Sequence, residues 1–358
     1  MAEKFYQDTF FGDGIALEIL THRGDPLRKL DEYVDWAKLV EVVVPIWINA
    51  EAKSPCGRKP WPVELMLKIM ILQRVYNLSF DEMEYQIFDR MSFRRFLGLC
   101  MMDKIPDSRT IWLYADKLAK KDGARKLFDR FKEMLAAQGV EMNSGSIVDA
   151  SFVTVPIQRN TPDENAQIKA GQTPAEWEKH PAKLRQKDVD ARWTKKGGQS
   201  YYGYKDHVKA DRTSKIITDY VVTDASVHDS QVLDPLSRTG DKTLYADSAY
   251  SGEKYEKMLR DKQIEAIICE KGRRNHPLTD EQKASNRKKS SVRCRVEHVF
   301  GSMVMSLHGI MTRSIGFCRN KHQCGMLNLC YNILRGMYLS GQKPKACDMS
   351  RAAQFAVV

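Results

Sequence analysis

The stretch SIVDASFVTV, residues 146–155, is where the chain changes character. Ile147, Val148, Phe152 and Val153 crowd a short run rich in β-branched and aromatic residues, which reads as a buried strand. In its middle stands Asp149, a residue that strands disfavour and whose charge is expensive to bury unpaired. Downstream, Tyr201–Ala210, Lys215–Val222, Lys242–Ala246 and Glu265–Cys269 repeat the pattern. Helices are expected near His228, over Ser251–Asp261 and over Val292–Leu307. The order is strand, strand, strand, helix, strand, helix, strand, helix, which predicts an α/β fold with a central mixed sheet. Residues 156–200 and 271–291 lack periodicity and read as irregular insertions.

Upstream the period is helical. Leu27–Val44 carries short helical patterns, followed by the punctuated stretch Ser54-Pro55-Cys56-Gly57-Arg58-Lys59-Pro60. Val63–Tyr76 presents a broad apolar surface, with Pro62 favourable at the start. Ser79 precedes Glu82 by three, a capping box for a helix to about Arg90. Asp107 is a cap for Ser108–Lys121, and Ala124–Gln138 stops at Gly139. The expected domains are therefore a helical one over 1–140, an α/β one over 141–340 and a tail over 341–358.

The 358 residues carry 57 Lys+Arg against 46 Asp+Glu, a net charge of +11. With 42% hydrophobic and 29% charged residues, the composition is globular and excludes collagenous and disordered classes. The longest apolar run, Val42–Ile48, contains Pro45 and is far too short for a membrane span, and the N-terminus lacks a signal-peptide pattern. Eight scattered cysteines predict a reduced, cytoplasmic protein. The positive charge is concentrated: residues 271–295 hold nine Lys/Arg against two acids, and 179–212 hold ten against four. Such segments are expected to face a polyanion.

Three acids stand out. Asp149 is mid-strand, Asp247 closes a strand in LYADSAY, and Glu297 sits among Val296, Val299 and Phe300 in RCRVEHVFGSM. Each has an ordinary reading: a turn acid, a helix cap, and an ion pair with Arg293. Together, three carboxylates from two strands and a covering helix suit Mg²⁺ or Mn²⁺, which bind phosphates and in pairs support in-line phosphoryl displacement.

With these acids, the strings IVDAS, YYGYKDHVKAD, VTDASVHDS, LYADSAYSG and RCRVEHVFG resemble blocks of bacterial insertion-sequence DDE transposases of the IS-five group. The helical block PVELMLKIMILQRVYNLSFDEME, then FRRFLGL and IPDSRT, is similar to that group's N-terminal region, so the resemblance spans about residues 5–335. It implies an RNase H-like catalytic domain behind a helical DNA-binding domain, and an enzyme that cleaves element ends and joins 3′-hydroxyls to target DNA. It also implies Asp149, Asp247 and Glu297 as catalytic and metal-binding residues, two Mg²⁺ ions with Mn²⁺ as substitute, double-stranded DNA as partner, a homodimer, and a bacterial, nucleoid-associated location. The group's last helix often carries Tyr, Arg, Glu and Lys. Here Arg293 and Glu297 match, but Ser290 and Val304 stand at the flanking positions.

DNA contacts are expected at Arg293, Arg295, Lys195, Lys196, Lys288 and Lys289 in the basic segments, and at Arg94, Arg95 and Arg109 in the helical block. Lys205 and His207, two apart, project from one strand face toward phosphate or a solvated edge. His228 and Asp229 read as a helix cap or as support for the metal site. Cys318, His322, Cys324 and Cys330 crowd together without a CxxC pair, and buried thiols explain them better than zinc. No phosphate-loop pattern is present, so no nucleotide cofactor is expected. A catalytically dead DNA-binding regulator and a junction nuclease on the same fold are the alternatives.

Overall fold

The computed structural model describes residues 13–48, 59–272, 277–309 and 311–341. The Ser54–Arg58 stretch, Arg273, Arg274 and nearly all of the tail lie outside the described residues. The chain divides into two compact units, at Gly123/Ala124 and again at Arg335/Gly336.

The first unit contains helices α1 (Asp13–His22), α2 (Pro26–Tyr33), α3 (Trp36–Trp47), α4 (Val63–Tyr76), α5 (Phe80–Asp89), α6 (Met91–Leu97) and α7 (Ser108–Lys120). Helix α4 is buried nearly all round, including Leu65, Met66, Leu67, Ile69, Ile71 and Leu72, as befits the centre of a bundle. It stops because Asn77 turns left-handed at φ 50°, and Ser79 and Glu82 then form the expected capping box of α5. Asp107 accepts from the Thr110 amide at the start of α7.

The second unit opens with α8 (Gly123–Ala137), which starts at the division itself, and β1 (Ser146–Thr154). Next come α9 (Pro162–Lys169), α10 (Ala175–Lys179), α11 (Pro181–Leu184), β2 (Arg192–Lys196), β3 (Gln199–Asp211) and β4 (Ile217–Asp224). A 3₁₀ turn (Asp229–Val232) leads to α12 (Leu233–Leu236) and β5 (Thr243–Ala246). A second 3₁₀ turn (Ser248–Tyr250) is followed by α13 (Glu253–Asp261), β6 (Glu265–Ile268), α14 (Asp280–Arg293), α15 (Arg295–Ser306) and α16 (Phe317–Leu339).

Strand β1 is the centre. It pairs antiparallel with β3 from Ser146↔Asp211 to Thr154↔Gly203, and parallel with β5, which pairs parallel with β6. The far edge of β3 carries β2 and β4, both antiparallel. This is the RNase H-like mixed sheet. Beneath one face, Val148, Leu233, Leu236, Leu244, Ala246, Leu259 and Ile268 form a core.

Two expectations need correction. Residues 156–200 are structured: Thr161 and Glu164 make a capping box for α9, and Trp177 is fully buried with its indole N–H donating to Glu164 at 2.6 Å. Trp177 is therefore the core of this insertion. Residues 271–291 contain most of α14, whose sequence DEQKASNRKKSSVR has no apolar stripe for periodicity to detect. Its signal was local: Thr279 and Gln282 form a capping box.

Candidate active site

Asp149 reaches its position through β1, and Asp247 through the end of β5. The parallel register pairs Ser146 with Leu244 and Ile147 with Tyr245, and carried onward it sets Asp247 beside Asp149. Asp247 caps the second 3₁₀ turn by accepting from the Ala249 amide. Glu297 lies in the first turn of α15, whose Val296, Val299 and Met303 are buried while the Glu297 side chain is 63% exposed.

Arg293, the last residue of α14, joins two of these acids. Its Nη1 donates to Asp149 Oδ2 at 2.8 Å and its Nη2 to Glu297 Oε1 at 3.4 Å. The Ala150 amide donates to the other Asp149 oxygen at 2.8 Å. Burial pushes the Asp149 carboxyl above the usual range; the Ala150 amide, Arg293 and Lys196 oppose this, while the charge of Asp247 adds to it. Among the described residues no three His, Cys, Asp or Glu side chains gather closely enough to share a metal ion; a guanidinium stands between Asp149 and Glu297 instead. The donor set nonetheless fits a hard divalent cation. It is all oxygen, and the repulsion between Asp149 and Asp247 is what such a cation would relieve.

The other expected site residues fall in three groups. Lys195, Lys196, Lys288, Arg295 and Arg109 are exposed, Arg295 donating to the Arg212 carbonyl at 3.3 Å. Lys289 is half-buried and donates to the Ile268 carbonyl at 3.0 Å. Arg94, Arg95, Lys205 and His207 are enclosed by protein, which corrects their reading as DNA-facing. Arg94 donates to the Cys100 carbonyl, and Arg95 pairs with Asp25 and donates to Leu17 O and Thr21 Oγ1.

Lys205 and His207 do share one face of β3. The register pairs Phe152 with Lys205, Ala150 with His207 and Asp149 with Val208, so that face is the one opposite Asp149. Lys205 Nζ donates to Asp229 at 2.9 Å and to the Val227 carbonyl at 2.7 Å. His207 Nε2 meets Thr223 Oγ1 at 2.9 Å. His228 caps the turn that carries Asp229. Cys324 and Cys330 are buried and in no disulfide and Cys318 is exposed, with no metal cluster among the described residues.

One residue escaped the sequence reading. Tyr250 lies three positions after Asp247, and the 3₁₀ turn folds it back so that its amide donates to the Asp247 carbonyl at 3.1 Å. The string ADSAY held that signal, a short turn directly after a strand-end acid.

The site thus brings together an acid on β1, an acid directly after the neighbouring parallel strand β5, and an arginine and a glutamate from the covering helices. The Transposase DDE domain model matches residues 141–333, over half the chain, and the Transposase domain (DUF772) model matches residues 16–117. The chain belongs to the DDE transposase family of insertion-sequence type: it is a DNA transposase that cleaves DNA and transfers strands, in a family that works with divalent metal ions. A piggyBac transposase synaptic complex with hairpin DNA is similar in structure, with a TM-score of 0.45 and 11% identity over 92% of this chain and 79% of that one. No helix among the described residues is long and apolar enough to cross a membrane.

Proposed function

We propose that Asp149, Asp247 and Glu297 are the catalytic acids, that they hold two Mg²⁺ ions, replaceable by Mn²⁺, and that Arg293 receives the DNA phosphate. What supports this reading is one observation. Residues 149, 293 and 297, scattered in sequence, meet through the Arg293 bridge, and Asp247 directly follows the strand that pairs parallel with β1. When bound, such ions neutralise developing charge and make the attacking oxygen a better nucleophile. The protein's own part is to hold the acids. Asp149 is fixed by the Ala150 amide on a rigid central strand, and Asp247 by its cap. Arg293, with donors in a planar fork, can exchange Asp149 for a phosphate without moving the helix that carries it.

The exposed Lys195, Lys196, Lys288, Arg295 and Arg109 would draw in the backbone on both sides of the scissile bond, with Lys289 close behind. Residues 1–140 would recognise the element ends. Two chains would act together because two ends are processed, and the protein would reside with bacterial DNA in the cytoplasm. Water attack frees a 3′-hydroxyl, which then attacks target DNA, without a covalent protein intermediate.

Incubating protein, Mg²⁺, a labelled terminal inverted repeat and plasmid tests this. Strand-transfer product that disappears in Asp149→Ala, with unchanged thermal unfolding, is the expected result. Binding without cleavage would identify a regulator, and cleavage without joining a nuclease.

A further inference from the structure

The turn between β3 and β4, residues 211–216, gathers cations from three elements. Arg212 and Lys215 belong to the turn itself, and two arginines dock on its carbonyls. Arg295, at the start of α15, donates to the Arg212 carbonyl at 3.3 Å, and Arg335 of α16 donates to the Ser214 carbonyl at 2.6 Å. The turn beneath them is firmly held. Asp211, 2% exposed, accepts from the amides of Ser144, Thr213 and Ser214, and the Tyr331 hydroxyl donates to the Lys215 carbonyl at 2.8 Å. Lys215 is thereby kept at φ 60°, a region that residues with a Cβ enter only when their surroundings hold them there.

These charges crowd without an acid to pair them. Asp211, the carboxylate of the turn, is spent on backbone amides and on the Ser144 and Ser214 hydroxyls. No carboxylate pairs with Arg212, Lys215 or Arg295 among the described residues. Burial pushes the Lys215 ammonium below its ordinary range, and the Arg335 and Arg295 charges add to this, with Cys294 opposing. Elsewhere on β3 the buried lysines close onto acids, Lys205 on Asp229 and Lys209 on Asp241. Cations that repel one another with no acid between them are what a bound anion would relieve.

The cluster lies on the same face of the sheet as the catalytic acids. Arg212 Nη1 donates to the Tyr245 hydroxyl at 3.3 Å, and Tyr245 pairs with Ile147, which shares its side of β1 with Asp149. Asp211 pairs with Ser146, so the turn begins about 10 Å along β1 from Asp149, about three nucleotides of one DNA strand. Arg295 stands two residues from both Arg293 and Glu297.

We propose that Arg212, Lys215, Arg295 and Arg335 form a second anion site, which holds a non-scissile phosphate of the DNA backbone about three nucleotides from the bond cut at the acids. That spacing rests on Asp149 marking the point of cleavage. Guanidinium forks and an ammonium suit phosphate oxygens, and such contacts fix the register of the DNA and not its sequence.

Lys215→Gln removes one charge, and Lys215→Arg restores it with the same Cβ. On a terminal-repeat duplex, Lys215→Gln should bind several-fold more weakly, with the slope of log affinity against log salt reduced by about 0.9, and Lys215→Arg should recover both. Replacing single phosphates by neutral methylphosphonates should weaken wild-type binding at one position near, but not at, the cut, and Lys215→Gln should erase that penalty. An unchanged salt slope, or a wild-type scan with no such position, would overturn the proposal. So would a Lys215→Arg that fails to recover, because the lysine would then serve the fold of the turn and not a phosphate. Arg293→Ala on the same duplexes separates this site from the catalytic one. If it abolishes the penalty at the scissile phosphate while Lys215→Gln alters nothing, only the second anion site fails. If Lys215→Gln erases its own penalty while Arg293→Ala leaves the scissile one intact, the second site stands and the role given to Arg293 fails.

Discussion

The two faces of the β1–β3 strand pair put the same kinds of side chain to opposite uses. On one face Lys205, His207 and Lys209 are buried, and the two lysines are closed onto acids, Asp229 and Asp241, at 2.9 Å. On the other, Asp149 is paired with an arginine from a helix end, and the partner it shares, Glu297, stands in solvent. A pair whose cation is buried, as Lys205 and Lys209 are, contributes chiefly to stability. A pair left open at one side can be exchanged for a phosphate or a cation. The difference lies in what covers each face: the 3₁₀ turn with α12 covers one, and α15 leaves the rim of the other open.

Breaking a closed pair should cost stability most. Lys205→Ala leaves the half-buried Asp229 and the Val227 carbonyl without their donor and is expected to lower the unfolding free energy by about 2 kcal/mol in urea melts. A loss below about 1 kcal/mol would show that this face is not closed in solution. Arg293→Ala attacks the open pair. It should leave stability within about 1 kcal/mol, since the pair is partly exposed, yet reduce single-turnover cleavage roughly 100-fold, or about 3 kcal/mol of barrier. Equal losses in both measurements would erase the distinction between the faces. Gly203→Ala strains the strand pair that carries both faces. Its φ of +141° is poorly suited to alanine, and a Cβ there would collide with the Val153 carbonyl oxygen, so a loss of about 2 kcal/mol is expected in the same melts.

Much of this was legible in the sequence where the signal was local. Asp149 was conspicuous because a charge in a β-branched run has no place in an ordinary core. The caps at Ser79 and Asp107 are interactions three residues long, and both formed. The α14 helix was missed for the opposite reason, since its solvated faces carry no apolar period. The spacing of Lys205 and His207 placed them on one face but could not say which, because that depends on the register with β1. Arg95 looked like a free cation because its partner, Asp25, lies far away in sequence. Charges read from sequence are candidates for DNA contact only until their acids are known.

Adjacent residues of β3 also make the two faces respond oppositely to pH. Asp206, fully buried with Asn328 donating to it at 3.0 Å, has its carboxyl pushed up to about 7 by burial. It keeps its proton in the folded state while the unfolded chain loses it near 3.8, so stability falls as pH rises between those values. His207 is held neutral below its ordinary 6.5, chiefly by burial, so its contribution is lost as pH falls beneath that value. In the wild type the two slopes oppose each other. Asp206→Asn removes one, and its amide can pair with the amide of Asn328. The variant should gain roughly 1 kcal/mol at pH 7 relative to the wild type. Its stability should then rise steadily from pH 5 to 7 in urea titrations, and an unchanged pH profile would refute the assignment.

The smallest effect is expected where the closed face runs out. Phe152 stacks on Tyr201 with ring centroids 4.2 Å apart, and Lys196, at the tip of the β2–β3 hairpin, lies 5.7 Å from the Phe152 ring. Gly197 and Gly198, with φ of 59° and 84°, form the two-residue turn that sends this tip outward. Lys196 is exposed, and its charge opposes the upward shift of the Asp149 carboxyl, so it is a candidate to meet the DNA backbone. Lys196→Gln should leave folding untouched and weaken DNA binding only a few-fold. It should also reduce the slope of log affinity against log salt by about 0.9, the release of one counterion. An unchanged salt slope would mean that the hairpin points away from the DNA, leaving α14 and Arg295 to guide the backbone to the acids.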